Sequence, residues 1–311
     1  MKKKCLITGG AGMIGLATAK LLLEKGFEVH IFDIADQISR TKKKISNEIK
    51  IHYGSILDYN ALKKSMNKCD IVFHFAAMLG VAKTEGDKFS CLNINTNGTY
   101  NALRASVKNK VKRFIFASSS EVYGEPLKNP ITEAQITQGK TIYGITKLMG
   151  EQQCIAFKQK FGLDYTILRF FNTYGPGQKN NFAITKFINL AKQNRMIIIN
   201  GNGNQLRSYM YVSDAANASI KASISIKCKN QILNIGNGNE NISLINLVKL
   251  ISRTLGVDTN FKLDKKFLNT DRTINREIFK RYCSSKKAQR LLKWKPKVKL
   301  IEGIRLTSEE I

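Results

Sequence analysis

Thr8-Gly9-Gly10-Ala11-Gly12-Met13-Ile14-Gly15 is the stretch that decides the fold of this 311-residue chain. It follows Lys4 to Thr8, an apolar run that reads as a buried strand. It precedes Met13 to Lys25, whose apolar periodicity predicts a helix stopped at Gly26. Gly9, Gly12 and Gly15 have no side chain to keep the backbone from turning sharply or approaching a ligand. The helix beyond them offers free N–H groups and a partial positive charge to an anion. Strand, glycine turn and helix in that order predict a pyrophosphate site formed by Gly9, Gly12, Met13, Ile14 and Gly15. The spacing is GxxGxxG, not the commoner GxGxxG.

Outward from this loop, short apolar runs alternate with amphipathic stretches. Glu28 to Asp33, Lys50 to Tyr53, Ile71 to Phe75, Arg113 to Ala117 and Asp164 to Phe170 read as further strands. Asn95 to Val107 and Tyr143 to Phe161 read as helices. Alternation of this kind predicts an α/β fold, a doubly wound parallel sheet covered on both faces. After about residue 171 the pattern loosens around Gly175-Pro176-Gly177, Gly201-Asn202-Gly203 and Gly236-Asn237-Gly238. We therefore expect a first domain over 1–171 and a smaller C-terminal substrate-binding lobe over 172–311, with segments interleaved. Asp33 ends the second strand, where a carboxylate can accept hydrogen bonds from adenosine ribose hydroxyls. It would repel a 2′-phosphate, so NAD is expected over NADP.

Composition narrows the class. Hydrophobic residues make up 43% and charged residues 24%, as in an ordinary globular protein. The six cysteines have no CxxC spacing and the three histidines have no ligand pattern, so no metal is expected. The apolar run after Met1-Lys2-Lys3-Lys4 is too short for a signal peptide, and no stretch approaches a membrane span; a cytoplasmic protein is expected. The net charge of +28 is spread along the chain without an aromatic-interleaved basic motif. It is read as support for an anionic ligand, with no nucleic acid expected.

Tyr143-Gly144-Ile145-Thr146-Lys147 carries the chemistry. Residues four apart share a helix face, so Tyr143 and Lys147 project together. A nearby ammonium, together with the positive nicotinamide of NAD, favours the phenolate and is expected to lower the phenol's pKa, making Tyr143 a proton acceptor for a sugar hydroxyl. Upstream, Ala117-Ser118-Ser119-Ser120-Glu121-Val122-Tyr123-Gly124 closes a predicted strand at the edge where open parallel sheets bind ligands. A serine there can bond the reacting oxygen and relay its proton.

These motifs, with His74-Phe75-Ala76-Ala77 and Arg169-Phe170-Phe171-Asn172-Thr173-Tyr174-Gly175-Pro176, resemble the extended short-chain dehydrogenase/reductase family. More narrowly, the chain resembles the NAD-dependent nucleotide-sugar epimerases and dehydratases. The resemblance runs nearly end to end. It implies a Rossmann-type domain, a nucleotide-sugar lobe and a homodimer formed through a four-helix bundle. It assigns Ser119 and Ser120 as the hydroxyl-bearing pair, Tyr143 as base and Lys147 as its ribose-binding partner. Ala76 and Asn95 lie near the cofactor, and Asn172 and Arg207 lie on the substrate phosphates. Arg272, Arg276 and Arg281 are candidates for a further diphosphate clamp. Two departures stand out: Gly54-Ser55-Ile56 replaces the family's Gly-Asp at the adenine loop, and Ser284 replaces an aspartate ten residues before Trp294.

The implied reactions share a first step that makes a bound 4-keto sugar. Epimerisation at C4 is the leading expectation. The alternative is 4,6-dehydration, or decarboxylation of a glucuronate, using Glu121. A second class, a non-catalytic RNA-binding or regulatory member of the fold, is disfavoured because Tyr143 and Lys147 are both present.

Overall fold

The computed structural model describes residues 2–265 and 278–311. Seven parallel strands form the main sheet: β1 (Lys4–Thr8), β2 (Glu28–Asp33), β3 (Lys50–Tyr53), β4 (Ile71–His74), β5 (Arg113–Ser119), β6 (Tyr165–Phe170) and β7 (Gln231–Ile235). Their spatial order is β7-β6-β5-β4-β1-β2-β3. The chain winds one way from β1 to β3 and the other way from β4 to β7. The carboxyl ends of β1 and β4 therefore flank the crevice where such sheets bind ligands. In register, Thr8 lies beside Phe32 and His74, and Ser119 beside Phe170.

The central strands are largely apolar because both sheet faces are covered there. Cys5 and Ile7 of β1 enter one core, with Ile115 of β5 and Leu168 of β6. Leu6 enters the opposite core with Phe114, Phe116 and Ile167. This is the two-residue strand period with each side buried. Helices Met13–Glu24 and Val212–Ile224 pack together over the first face. Helices Gly98–Lys108 and Ile142–Phe161 pack together over the second.

A third core, with Tyr174, Phe187, Leu247, Ile251 and Ile304 at its centre, is built from residues after 171. Met13 and Ile14 pack their side chains against it, so the start of the first helix is tied to this core as well. Leu206–Ser208 pairs with Asn241–Ser243 on one side and Lys280–Arg281 on the other. Among the described residues no helix is long and apolar enough to cross a membrane.

Two elements differ from their sequence-based expectation by more than one residue. β5 runs two residues further, to Ser119, because Ser118 and Ser119 continue to pair with Arg169 and Phe170. The helix expected from Asn95 opens as a π-turn over Asn93–Asn97, and regular helix begins at Gly98. β7, from residues 231–235, pairs with β6 at the edge of the sheet.

Candidate active site

The glycine loop leaves β1 tightly. Gly9 has a φ of +69°, and a Cβ on it would come within 2.6 Å of the Ala76 backbone nitrogen. A Cβ on Gly15 would lie 2.3 Å from the Gly9 carbonyl oxygen, so the first helix turn closes onto the loop. Gly12 differs, because a Cβ there would meet only the Gly9 oxygen, at 3.2 Å. Helix Met13–Glu24 begins at Gly12 without a side-chain cap. Its orphan N–H groups face a cradle that a side chain would fill, which fits an anionic pyrophosphate. Asp33 closes the rim. Its carboxylate accepts from the Ala11 nitrogen at 3.1 Å and the Ile34 nitrogen at 2.9 Å. Burial pushes its pKa above the ordinary aspartate value, against the pull of those two bonds.

Beneath the loop lies a directed hydrogen-bond chain. Thr99 spends its proton on the Asn95 carbonyl at 2.7 Å, so its oxygen accepts from His74 Nε2 at 3.1 Å. His74 Nδ1 is then the acceptor for the Thr8 hydroxyl at 2.7 Å, and Thr8 in turn accepts from the Ala76 nitrogen at 3.4 Å. Burial, helped by the Lys147 charge, pulls the His74 pKa down to about 3, keeping the ring neutral. Asn95 uses its amide on protein atoms: Oδ1 accepts from the Met78 nitrogen at 2.7 Å, and Nδ2 donates to the Met78 oxygen and to Thr146 Oγ1. It joins the Met78 loop to helix Ile142–Phe161, one residue before Lys147.

That helix is capped by Thr141, whose hydroxyl accepts from the Gly144 nitrogen, and it ends at Gly162 in the left-handed conformation. Two glycines let it lie close to β5. A Cβ on Gly144 would sit 2.7 Å from the Glu121 oxygen, and one on Gly150 would sit 2.3 Å from the Phe116 ring. Lys147 Nζ accordingly reaches the Ala117 carbonyl at 2.7 Å and lies 5.7 Å from the centre of the Tyr143 ring. Ser119 stands near enough to the Tyr143 phenol to pull its pKa down. Ser119 also accepts from the Glu121 nitrogen at 3.2 Å, while Ser120 is buried at the head of the short turn Ser120–Tyr123.

In the chain itself burial holds the Tyr143 phenol above its ordinary pKa, the Glu121 carboxylate pushes the same way, and Ser119 pulls it down. Burial also lowers Lys147 to about 8. The sequence spacing placed the two groups on one helix face but could not report how dry that face is.

Glu121 turns toward the smaller lobe, where Arg281 Nη1 donates to its Oε1 at 2.7 Å. Arg281 and Arg207 face each other in register on neighbouring strands, and both are buried. Arg281 Nε is buried without a partner. Arg207 donates to the Leu206 and Phe279 carbonyls, and Asn172 Nδ2 donates to the Ser208 carbonyl at 3.2 Å. Arg272 and Arg276 lie outside the described residues. Sequence reasoning missed Glu151 and Arg169, a buried ion pair behind the catalytic turn. The available signal was Glu151 itself, a carboxylate one helical turn beyond Lys147.

Comparison with known proteins agrees with this geometry. The sequence profile of the NAD dependent epimerase/dehydratase family matches residues 5–236. The chain is 39% identical over 249 residues to UDP-N-acetyl-alpha-D-glucosaminuronate decarboxylase of Bacillus cytotoxicus, covering 77% of each chain. It is 32% identical over 305 residues to a putative UDP-glucose 4-epimerase of Methanocaldococcus jannaschii, covering 96% of this chain and 95% of the relative. In structure it matches the UDP-glucose 4-epimerase of Thermotoga maritima, solved with UDP-glucose. That TM-score is 0.89 at 30% identity, covering 99% of this chain and 98% of the other.

Proposed function

The chain belongs to the NAD-dependent epimerase/dehydratase family and uses NAD as its cofactor, and from that premise we propose that it inverts C4 of a UDP-sugar through a transient 4-keto sugar. The observation that carries this reading is Tyr143 and Lys147 one turn apart on a buried helix face, with Lys147 Nζ on the Ala117 carbonyl at the carboxyl edge of β5 beside Ser119. The loop at Gly9, Gly12 and Gly15, with the backbone of Met13 and Ile14, cradles the pyrophosphate, and Asp33 takes the ribose hydroxyls. Bound NAD supplies the hydride acceptor and a positive charge on its nicotinamide.

Tyr143 removes the proton of the C4 hydroxyl, and Ser119 holds that oxygen in line. The positive charge beside the phenol, together with Lys147, offsets the burial that disfavours the phenolate. With the ketone formed, the sugar would turn in the lobe formed by residues 172–311, so that the hydride taken up in the first step returns to the opposite face of C4 while Tyr143 gives the proton back to the C4 oxygen. Asn172, Arg207 and Arg281 hold the diphosphate in this reading. Two guanidiniums side by side match phosphate oxygens, and the free Arg281 Nε is a donor left for one. Incubation with UDP-glucose, UDP-glucuronic acid and UDP-N-acetylglucosaminuronic acid, followed by mass spectrometry and sugar analysis, tests the proposal. Inversion leaves mass unchanged, dehydration removes water and decarboxylation removes carbon dioxide.

One observation favours a second reading. The Glu121–Arg281 pair places a carboxylate and a guanidinium beside Tyr143, a setting suited to a C6 carboxylate. Arg281 would take that carboxylate and the ketone would promote its loss, in keeping with the decarboxylase relative.

Assembly as a homodimer is part of the proposal. Phe89, Leu92, Tyr100, Ile145, Met149 and Phe161 are large exposed apolar side chains on three helices that pack side by side, a surface suited to a second copy.

A further inference from the structure

Behind the catalytic turn lies a buried polar cluster that the reaction does not touch. Ser118 and Tyr123 bracket residues 119–122, which carry Ser119 and Glu121. The Ser118 hydroxyl donates to Glu151 Oε1 at 2.5 Å. The Tyr123 oxygen accepts from Arg169 Nη1 at 2.8 Å, and its proton goes to Asn234 Oδ1 at 2.7 Å. Glu151 and Arg169 hold each other through two bonds, Nε to Oε1 at 2.9 Å and Nη2 to Oε2 at 2.6 Å. Ser118, Tyr123, Glu151 and Arg169 are exposed by only 3%, 1%, 1% and 4%. Glu151 stands on the catalytic helix, one turn beyond Lys147 and two beyond Tyr143.

We propose that the Glu151–Arg169 ion pair is a positioning clamp that fixes both ends of the catalytic turn against the helix carrying Tyr143 and Lys147. The pair itself touches neither substrate nor cofactor. Its carboxylate holds the residue before Ser119, and its guanidinium holds the residue two beyond Glu121. A buried ion pair is a poor device for stability alone, because apolar side chains of the same volume often serve as well. What it provides here is a fixed register between turn and helix, and a misplacement of about 1 Å costs about 100-fold in rate. The clamp also acts through charge. Around Lys147 stand Tyr143, Glu151 and Cys154 on its own helix, Cys91 from helix Lys88–Leu92, His74 from β4, and Arg169 behind Glu151. Burial pulls Lys147 down, and Cys91, Cys154 and then Glu151 favour its ammonium form, Glu151 being the carboxylate among them.

The inference rests on Tyr143 as base, so Tyr143→Phe is assayed beside the clamp variants. UDP-glucose and UDP-glucuronic acid serve as probes, with retained NAD and thermal midpoint measured on every protein. Ser118→Ala and Tyr123→Phe each remove one tie and leave the ion pair in place. Each is expected to lower kcat about tenfold with KM and retained NAD unchanged. Glu151→Gln is expected to move the alkaline limb of the kcat profile to lower pH, because Lys147 then loses its proton more readily. Should Glu151→Gln fail to fold, the two single-tie variants decide. If either keeps wild-type kcat, if the alkaline limb stays in place, or if kcat and retained NAD fall together, the clamp is overturned. A Tyr143→Phe protein that still turns over a probe overturns the base assignment instead, whatever the clamp variants do.

Discussion

Arg281 Nη1 and Glu121 Oε1, 160 residues apart in sequence, meet at 2.7 Å and tie the strand Lys280–Arg281 to the turn Ser120–Tyr123. Both partners are largely buried, so removing one leaves an uncompensated charge. Glu121→Gln is expected to destabilise the fold by about 3 kcal/mol, seen as a lower thermal midpoint. Inversion at C4 needs no group at C5, so epimerisation of a neutral UDP-sugar should survive this change within about tenfold. A loss beyond that, with UDP-glucuronic acid as the substrate that suffers, moves the assignment to decarboxylation.

Tyr143→Phe removes the proton acceptor and leaves the ring. Turnover of every probe sugar should fall by a factor of at least about 100, while NAD stays bound, because the glycine cradle and Asp33 are untouched. Retained NAD can be measured after denaturing the purified variant. Near-normal activity would remove Tyr143 from the mechanism.

What could be read from sequence was local. GxxGxxG declared its loop because strand, turn and helix are consecutive, and Tyr143 and Lys147 declared their shared face because four residues make one helical turn. The Arg281–Glu121 contact was not legible, since it depends on Lys280–Arg281 pairing beside Leu206–Ser208, a register set by the folded lobe. Asn95 was legible as a residue of the site but not in its bonds: its amide is occupied by Met78 and Thr146. The phenol's raised pKa was hidden for a similar reason. Spacing gives proximity to Lys147, whereas the outcome is decided by burial and by Glu121 arriving from the turn Ser120–Tyr123.

Asp33 accepts two backbone bonds and stands at the rim of the cradle. Asp33→Ala removes a charged acceptor for ribose, and loss of such bonds typically costs about 1.5–3 kcal/mol. NAD affinity should therefore weaken about 10- to 100-fold, and discrimination against NADP should narrow because the repelling charge is gone. Titration with each dinucleotide measures both effects, and an unaltered Kd for NAD would remove the ribose assignment.

Met149 projects from the middle of helix Ile142–Phe161 and is 48% exposed. If that face meets a second copy, Met149→Glu buries two like charges near the symmetry axis, whereas on a free surface the change is nearly silent. Sedimentation should show the wild-type chain at twice its 35.0 kDa mass and the variant at that mass. A wild-type chain that sediments at 35.0 kDa overturns the homodimer.

His74 makes acid stability a test of the hydrogen-bond chain beneath the cofactor loop. Its pKa falls from 6.5 to about 3 in the folded state, so the unfolded chain binds the extra proton first. The stability it contributes is complete above pH 6.5 and is lost as pH falls toward 3. The full difference amounts to roughly 4–5 kcal/mol. His30 and His52 are also lowered by burial and act in the same direction, whereas Asp164, held low by Lys158 and Lys229, gives way only in more acidic solution. Replacing His74 by Asn removes the titrating ring and keeps an acceptor for Thr8. The variant starts less stable near neutrality, because the Thr99 contact and some packing are lost. On acidification the wild type should lose stability faster, and the two urea midpoints should converge between pH about 6.5 and about 4.5. Parallel curves over that range would mean that the ring is protonated without cost, and the directed chain from Ala76 to Asn95 could not stand.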